Sequence, residues 1–287
     1  MRSDIAVIGC GRVGLCLALT FMKRGQKVVL YSRSSNDPLN RIEVLPIANA
    51  RHIECDIVLL AVKDDAIEEV SRQVVHIVEP NAQVGHLSGA LGSSVLAPFF
   101  GEKRSFSAHP LYSFPPKGFS RALEEGILVM VEAKDEGCKK HVGSFFENAG
   151  FDVGFIEEND KALYHASAVL CANLPCALLY EASRLFERLG VPEATRRAFC
   201  LLRSVIANHI EEPGPKSLTG PLVRGDVAGI ARNIEALQNE DESLAQIYVS
   251  LSMKLADIIY KAGIIEEDRW KKLKEVLKNL QERQLAR

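Results

Sequence analysis

The chain has 287 residues, 47% of them hydrophobic and 25% charged, with a formal net charge of −2. That length holds two ordinary domains or one large one, and the composition is that of a globular chain with residues to spare for a core. The near-neutral balance excludes an electrostatic case for nucleic acid or an anionic membrane surface as partner. The seven cysteines stand at Cys10, Cys16, Cys55, Cys138, Cys171, Cys176 and Cys200. They form no Cys-x-x-Cys pair and mostly interrupt apolar runs, so reduced, buried thiols in a cytoplasmic protein are expected, with no metal site. The first residues already read as a strand, so no signal peptide is expected. No apolar run is read as reaching the length of a membrane span.

In chain order, Asp4 to Gly9 is a short β-branched apolar run of the kind that forms a buried parallel strand. Gly11 to Lys23 follows with helical apolar spacing at Val13, Leu17 and Phe21, and Gly25 ends it. Lys27 to Tyr31 reads as a second strand, Asn36 to Asn40 as a turn, and Ile42 to Pro46 as a strand in place of a full crossover helix. Asp56 to Val62 is another buried strand, and Asp64 to Val78 an amphipathic helix. Further strands are expected at Gln83 to Leu87, Ser105 to His109, Ile127 to Val131 and Phe151 to Ile156, with a helix from Lys134 to Ala149. Strands alternating with helices imply a mostly parallel sheet covered on both faces. After Glu157 the strand-like runs cease. A long helix is expected from Asn159 or Asp160 to about Leu189, kinked at Pro175 and stopped by Gly190 and Pro192. Helices follow at Glu193 to Ile210, Val227 to Gln238, Asp241 to Ala262 and Glu266 to Arg287. The expected architecture is α/β: a Rossmann-type, doubly wound parallel sheet over 1–157, then an all-α domain over 158–287.

Gly9-Cys10-Gly11-Arg12-Val13-Gly14 matches Gly-x-Gly-x-x-Gly between a buried strand and a helix, the context that gives the pattern meaning. Gly9 permits a tight turn, Gly11 lets the backbone approach a pyrophosphate, and Gly14 lets helix and strand pack closely. The helix N-terminus then offers free N–H groups to phosphate. These six residues, with Val62 at the end of a neighbouring strand, are the expected dinucleotide contacts. At the tip of the second strand an acidic residue would hold a ribose hydroxyl. This chain has Tyr31-Ser32-Arg33-Ser34 there, with Asp37 further into the loop. A guanidinium flanked by Ser32 and Ser34 suits a 2′-phosphate, which points to NADP(H) ahead of NAD(H). The alternative is that Arg33 is a solvated loop residue.

The helix from Asp160 is largely apolar yet carries Lys161 and His165 on one face and Asn173 two turns further on. Buried polar groups need partners, and a ligand is one candidate. The other reading is a satisfied core histidine and a surface lysine. His109-Pro110 ends one strand and His86, with Ser88 and Gly89, ends the preceding one. Ligands of open α/β sheets sit beyond such ends, although either histidine could equally tie a loop to the backbone. Arg224 either binds an anionic group or braces its loop, and Asp226 suits a helix N-cap.

Taken together, the glycine motif, His86-x-Ser88-Gly89, His109-Pro110, Lys161-x-x-Tyr164-His165 with Asn173, and Thr219-Gly220-Pro221-x-x-Arg224-Gly225-Asp226 resemble the Rossmann-like/DUF2520 proteins over nearly the whole chain. The resemblance implies an NADP-binding oxidoreductase without an agreed substrate. The layout is similar to pyrroline-5-carboxylate reductases and the 6-phosphogluconate and 3-hydroxyisobutyrate dehydrogenases, whose helical C-terminal domains also form dimers. A homodimer through the C-terminal helices is therefore expected. Lys161 occupies a place similar to the catalytic lysine of many 3-hydroxyacid dehydrogenases, but Tyr164 stands where their asparagine would be. His109-Pro110 also resembles prephenate dehydrogenases.

The function expected is hydride transfer between NADP(H) and a small, anionic carbonyl, hydroxyl or imine compound. Lys161 is the first choice of proton donor. His165, Asn173 and His109 would orient the substrate, and Arg224, His86 and Ser88 would bind it. The alternative is a non-catalytic NADP(H)-binding redox sensor or regulator.

Overall fold

The computed structural model describes residues 2–33, 42–115 and 126–285, with side chains through residue 279. Two compact units divide it, one ending at Ala177 and the other beginning at Leu178.

The first unit is built on an eight-stranded sheet. Its strands are β1 (Ser3–Ile8), β2 (Val28–Ser32), β3 (Val44–Pro46), β4 (Cys55–Leu60), β5 (Gln83–His86), β6 (Ser105–Pro110), β7 (Leu128–Glu132) and β8 (Asp152–Phe155). They lie in the order β3-β2-β1-β4-β5-β6-β7-β8. Every neighbouring pair is parallel except β6 and β7, where Ser107 faces Glu132. The short strand expected after the second is β3, parallel to β2. The expected turn at Asn36 to Asn40 lies outside the described residues, as do Ser34 and Asp37.

Period-two side-chain alternation sorts the apolar runs onto two layers. Ile5 and Val7 of β1 and Ile57 and Leu59 of β4 join one core. In that core they meet α1 (Arg12–Lys23) and α4 (Glu136–Asn148). Ala6, Ile8, Val58 and Leu60 point into the opposite core, with α2 (Ile67–Val74) and α3 (Ala97–Phe100). Phe21 of α1 is fully buried against the rings of Phe145, Phe146 and Phe151. Covering both faces of a sheet in this way makes the doubly wound α/β arrangement that the alternating pattern implies. The short α3 was not read from the sequence.

After β8 the chain is helical. A 3-10 turn at Glu158–Asp160 leads into α5 (Lys161–Arg188), which runs through Pro175 without interruption. Gly190, in the left-handed region at φ 74°, ends it. By length and composition alone, Glu158–Arg188 is long and apolar enough to cross a membrane. This corrects the reading that no apolar run reaches that length; Lys161, His165 and Asn173 had broken the run to the eye.

The second unit takes up the last turns of α5 and adds α6 (Ala194–Glu211), α7 (Pro221–Arg224), α8 (Val227–Glu240), α9 (Glu242–Lys261) and α10 (Glu267–Leu285). Ile230 and Ile234 of α8, Val249 and Ile259 of α9 and Leu273 and Leu277 of α10 form its core. Asp226 caps α8 by accepting from the Gly229 N–H at 2.9 Å.

The cysteines are only partly as expected. Cys16, Cys55 and Cys138 are buried thiols, Cys10 is half-buried, and Cys171, Cys176 and Cys200 are exposed. The three exposed thiols lie on α5 and α6, where apolar neighbours in the sequence are themselves exposed.

Candidate functional site

The turn from β1 into α1 is shaped by what its glycines lack. Gly9 has φ +121°, and a Cβ there would stand 2.3 Å from the Ala61 carbonyl oxygen. A Cβ on Gly14 would stand 2.0 Å from the Gly9 carbonyl oxygen and 2.8 Å from the Ala61 Cβ. Both positions hold β1, α1 and the end of β4 together closer than any side chain permits. Gly11 differs: a Cβ there meets nothing within 4 Å. Its glycine therefore keeps space open beside the N-terminus of α1, where unpaired N–H groups favour an anion.

That space opens into a cavity of about 570 Å³ lined by Gly9, Cys10, Gly11, Ser32, Arg33 and Val62, among others. The volume suits a cofactor-sized ligand. Six expected cofactor contacts thus share one cavity. Arg12 is the first residue of α1 and is exposed, Val13 packs against the core, and Gly14 makes the close contact already described. The sequence reading missed Lys63, Glu69 and Gln73, which also line the cavity. Lys63 directly follows Val62 at the end of β4, so strand position could have flagged it. Glu69 and Gln73 come from α2 and are separated in sequence from every motif.

A second cluster lies beyond β5 and β6, and it belongs wholly to the first unit. Lys161 is fully buried, and its Nζ donates to the Ser88 carbonyl at 3.1 Å. Burial pushes its ammonium below the ordinary lysine value, against the opposing pull of Glu132, Asp64 and Glu158. Ser88 Oγ donates to Asp64 Oδ2 at 2.7 Å and accepts from the Ala90 and Leu91 N–H groups. His86 is also fully buried. Its Nδ1 accepts from the Ser88 N–H at 3.2 Å, which leaves the ring hydrogen on Nε2 to be donated to the Gly92 carbonyl at 2.9 Å. Burial lowers its pKa to about 4, so the ring is neutral. Both nitrogens are taken by the loop His86 belongs to, which corrects its placing among substrate ligands. It ties the loop, and Ser88 is engaged in the same way.

Glu132, missed by the sequence reading, lies beneath this loop and is 2% exposed. Its carboxylate accepts from the Ser93 N–H at 2.6 Å, Ser93 Oγ at 2.8 Å and Ser107 Oγ at 3.2 Å. An acidic residue closing the apolar run Leu128–Glu132 was the available signal.

Two imidazoles meet at Gly89. A Cβ on Gly89 would stand 2.4 Å from His165 Nδ1 and 3.0 Å from His109 Nε2. The two rings are perpendicular, with centroids 5.8 Å apart. His165 Nδ1 is buried with no hydrogen-bond partner among the described residues. His109 Nδ1 lies 2.9 Å from the Tyr164 hydroxyl. Burial, with Lys161 and His165 nearby, pushes the His109 pKa down to about 4. Asn173 is not part of this cluster. It is exposed on α5, about 12 Å along the helix from His165 and rotated by roughly 80° from its face. Arg224 ends α7 in the second unit and is exposed.

Residues 1–110 match the Rossmann-like domain, and residues 127–255 match a domain of unknown function, DUF2520. The chain thus carries a Rossmann-like domain followed by a DUF2520 domain. Among solved structures it is similar to protein TM1727 from Thermotoga maritima, at 24% identity over 90% of this chain and 99% of that one, with a TM-score of 0.72. It is also similar to protein BF3122 from Bacteroides fragilis, an NADP oxidoreductase by designation, at 18% identity, 88% and 98% coverage and a TM-score of 0.71. A third is the pyrroline carboxylate reductase of Plasmodium falciparum with NADP bound, at 14% identity, 96% and 98% coverage and a TM-score of 0.59. These likenesses show the fold. No curated protein matches the chain.

Proposed function

We propose that this protein is an NADP(H)-dependent oxidoreductase acting on a small, anionic carbonyl, hydroxyl or imine compound. The observation that carries the reading is the cavity that joins the open backbone at Gly11 to Ser32 and Arg33, with no acidic residue at the tip of β2. The Gly9–Gly14 turn and the α1 N-terminus would hold the pyrophosphate, and Arg33 with Ser32 the 2′-phosphate. The nicotinamide supplies hydride exchange at carbon.

The side chains handle the proton and the geometry. Lys161 is fully buried on the Ser88 carbonyl, which supports a positioning role for it in place of proton donation. His165, whose Nδ1 has no partner beside Gly89, is the better proton-transfer group. His109 polarises the reacting oxygen.

The test is a screen of small keto, hydroxy and imino acids with NADPH or NADP. With an active compound, His165→Ala lowers turnover about 10²–10⁴-fold while NADPH affinity holds. Lys161→Met also lowers turnover, through the Ser88–Gly92 loop. Full activity in both variants moves the chemistry elsewhere. The mutual engagement of His86, Ser88 and Lys161 favours a second reading, a redox sensor with no turnover. NADPH binding without activity across the whole screen supports that one.

We also infer a homodimer. Leu163, Leu170 and Leu174 of α5 are exposed, as are Leu201, Ile206 and Ile210 of α6, and a second copy of the chain would cover them. Sedimentation in detergent-free buffer gives a dimer on this reading. A monomer at all concentrations contradicts it, and solubility only in detergent would assign α5 to a bilayer.

A further inference from the structure

Tyr164, on the first turn of α5, has no part in the reaction described above. Its hydroxyl lies 2.9 Å from His109 Nδ1, and its ring meets that imidazole edge-on at 5.5 Å and 83°. The same imidazole also lies perpendicular to the His165 ring at 5.8 Å, and Nε2 is directed at Gly89. His109 is therefore gripped at one nitrogen and presented at the other.

Between a phenol and a neutral imidazole there is one shared hydrogen bond, and its direction fixes where the ring hydrogen sits. Burial pushes the Tyr164 hydroxyl up to about 12, so it keeps its proton. The groups around His109 are Tyr164, Lys161 and His165 of α5 and Asp64 before α2, and their balance with burial leaves the imidazole neutral near pH 7. No other acceptor for the Tyr164 hydrogen is found among the described residues. A phenol oxygen, its lone pair drawn into the ring, is a weaker acceptor than an imidazole nitrogen.

We propose that Tyr164 is a positioning residue that donates to Nδ1 of His109 and thereby places the ring hydrogen on Nε2, making His109 a neutral hydrogen-bond donor for the oxygen of a carbonyl or hydroxyl substrate. The substrate half of this statement rests on the oxidoreductase reading; the tautomer half does not. His109 then neither gains nor loses a proton in turnover. Its Nε2–H stabilises negative charge developing on the oxygen, in the manner of an oxyanion donor. The proton itself moves at His165. Gly89 is required because any side chain there would fill the space in front of Nε2.

The experiment is long-range proton–nitrogen NMR of the full chain labelled with ¹⁵N-histidine, the His109 signals being identified by their loss in His109→Gln. The wild type should show His109 protonated at Nε2 and unprotonated at Nδ1 near neutral pH. Tyr164→Phe, which keeps the ring packing, should lose that preference and give a mixture of tautomers, with thermal stability and NADPH affinity nearly unchanged. A wild-type signal protonated at Nδ1, or an unaltered Nε2–H signal in Tyr164→Phe, overturns the proposal. If the variant does not fold, the wild-type spectrum alone decides. Because the readout uses neither turnover nor cofactor, its failure leaves the proposed function standing. Failure to bind NADPH removes that reading without touching the tautomer.

Discussion

At the turn from β1 to α1 the backbone forms the site and side chains are excluded from it, whereas beyond β5 and β6 the site is made of side chains drawn from separate elements. The first region needs three glycines within six residues. The second needs His86 at the end of β5 and Ser88 after it, His109 on β6, Glu132 on β7, and Lys161, Tyr164 and His165 on α5. The contrast shows two ways of meeting the same demand, a fixed polar surface. A backbone cradle is secured by steric closeness. A side-chain cluster is secured by satisfying nearly every buried donor and acceptor, with His165 Nδ1 left over.

The largest effect should come from breaking the side-chain region at its base. Glu132→Ala strands the Ser93 N–H, Ser93 Oγ and Ser107 Oγ together. Each buried donor left unpaired costs about 1–3 kcal/mol. Urea unfolding should therefore show a loss of several kcal/mol. A loss within about 0.5 kcal/mol, the size of a surface change, would mean the cluster does not support the fold.

The backbone region separates its own glycines. Gly14→Ala forces a Cβ against backbone and should cost about 1–3 kcal/mol or more. Gly11→Ala meets open space at φ −76° and should leave thermal unfolding unchanged while weakening NADPH binding. Equal destabilisation by the two would erase the distinction between a packing glycine and a ligand-facing one.

A smaller, pH-dependent effect belongs to the second region. His86 titrates at about 4 in the folded protein against 6.5 as the ordinary value. Above pH 6.5 both states are neutral and nothing changes. Between 6.5 and about 4 the unfolded chain takes a proton that the folded chain refuses, so stability falls as pH falls, by up to about 1.4 kcal/mol per pH unit. His109 adds to the fall in the same direction. Denaturation followed across that window should show the slope, and His86→Gln should reduce it, leaving the His109 part. An unchanged slope would place the titration elsewhere.

The same contrast explains what was legible in the sequence. The glycine turn is local, and each glycine's task follows from its place in the motif. The doubly wound sheet is legible for a related reason, since an unbroken apolar run such as Ile5-Ala6-Val7-Ile8 records two covered faces. Glu132 stood out only as an acidic residue closing an apolar run, and Asp64 not at all, because their importance comes from β6–β7 pairing and from the Ser88 hydroxyl, neither of which leaves a spacing in the chain. His86 shows the converse. Its position beyond a strand end suggested a ligand, but burial and two loop hydrogen bonds had already claimed it. Asn173 shared a helix with Lys161 and His165, yet helical rotation carried it away from their face. Tyr164 was visible in the Lys161-x-x-Tyr164-His165 motif and as a departure from the 3-hydroxyacid dehydrogenase pattern, and its hydrogen bond to His109 gives that departure a use.

The most direct measurement is calorimetric titration of the full chain, and of Arg33→Ala, with NADPH and with NADH. A charge-assisted contact from Arg33 to the 2′-phosphate is worth about 1.5–3 kcal/mol, roughly one to two powers of ten in affinity. The wild type should therefore bind NADPH more tightly than NADH by that factor. Arg33→Ala should lose the difference through weaker NADPH binding, with NADH nearly unchanged. No binding of either cofactor, or tighter binding of NADH by the wild type, would contradict the account.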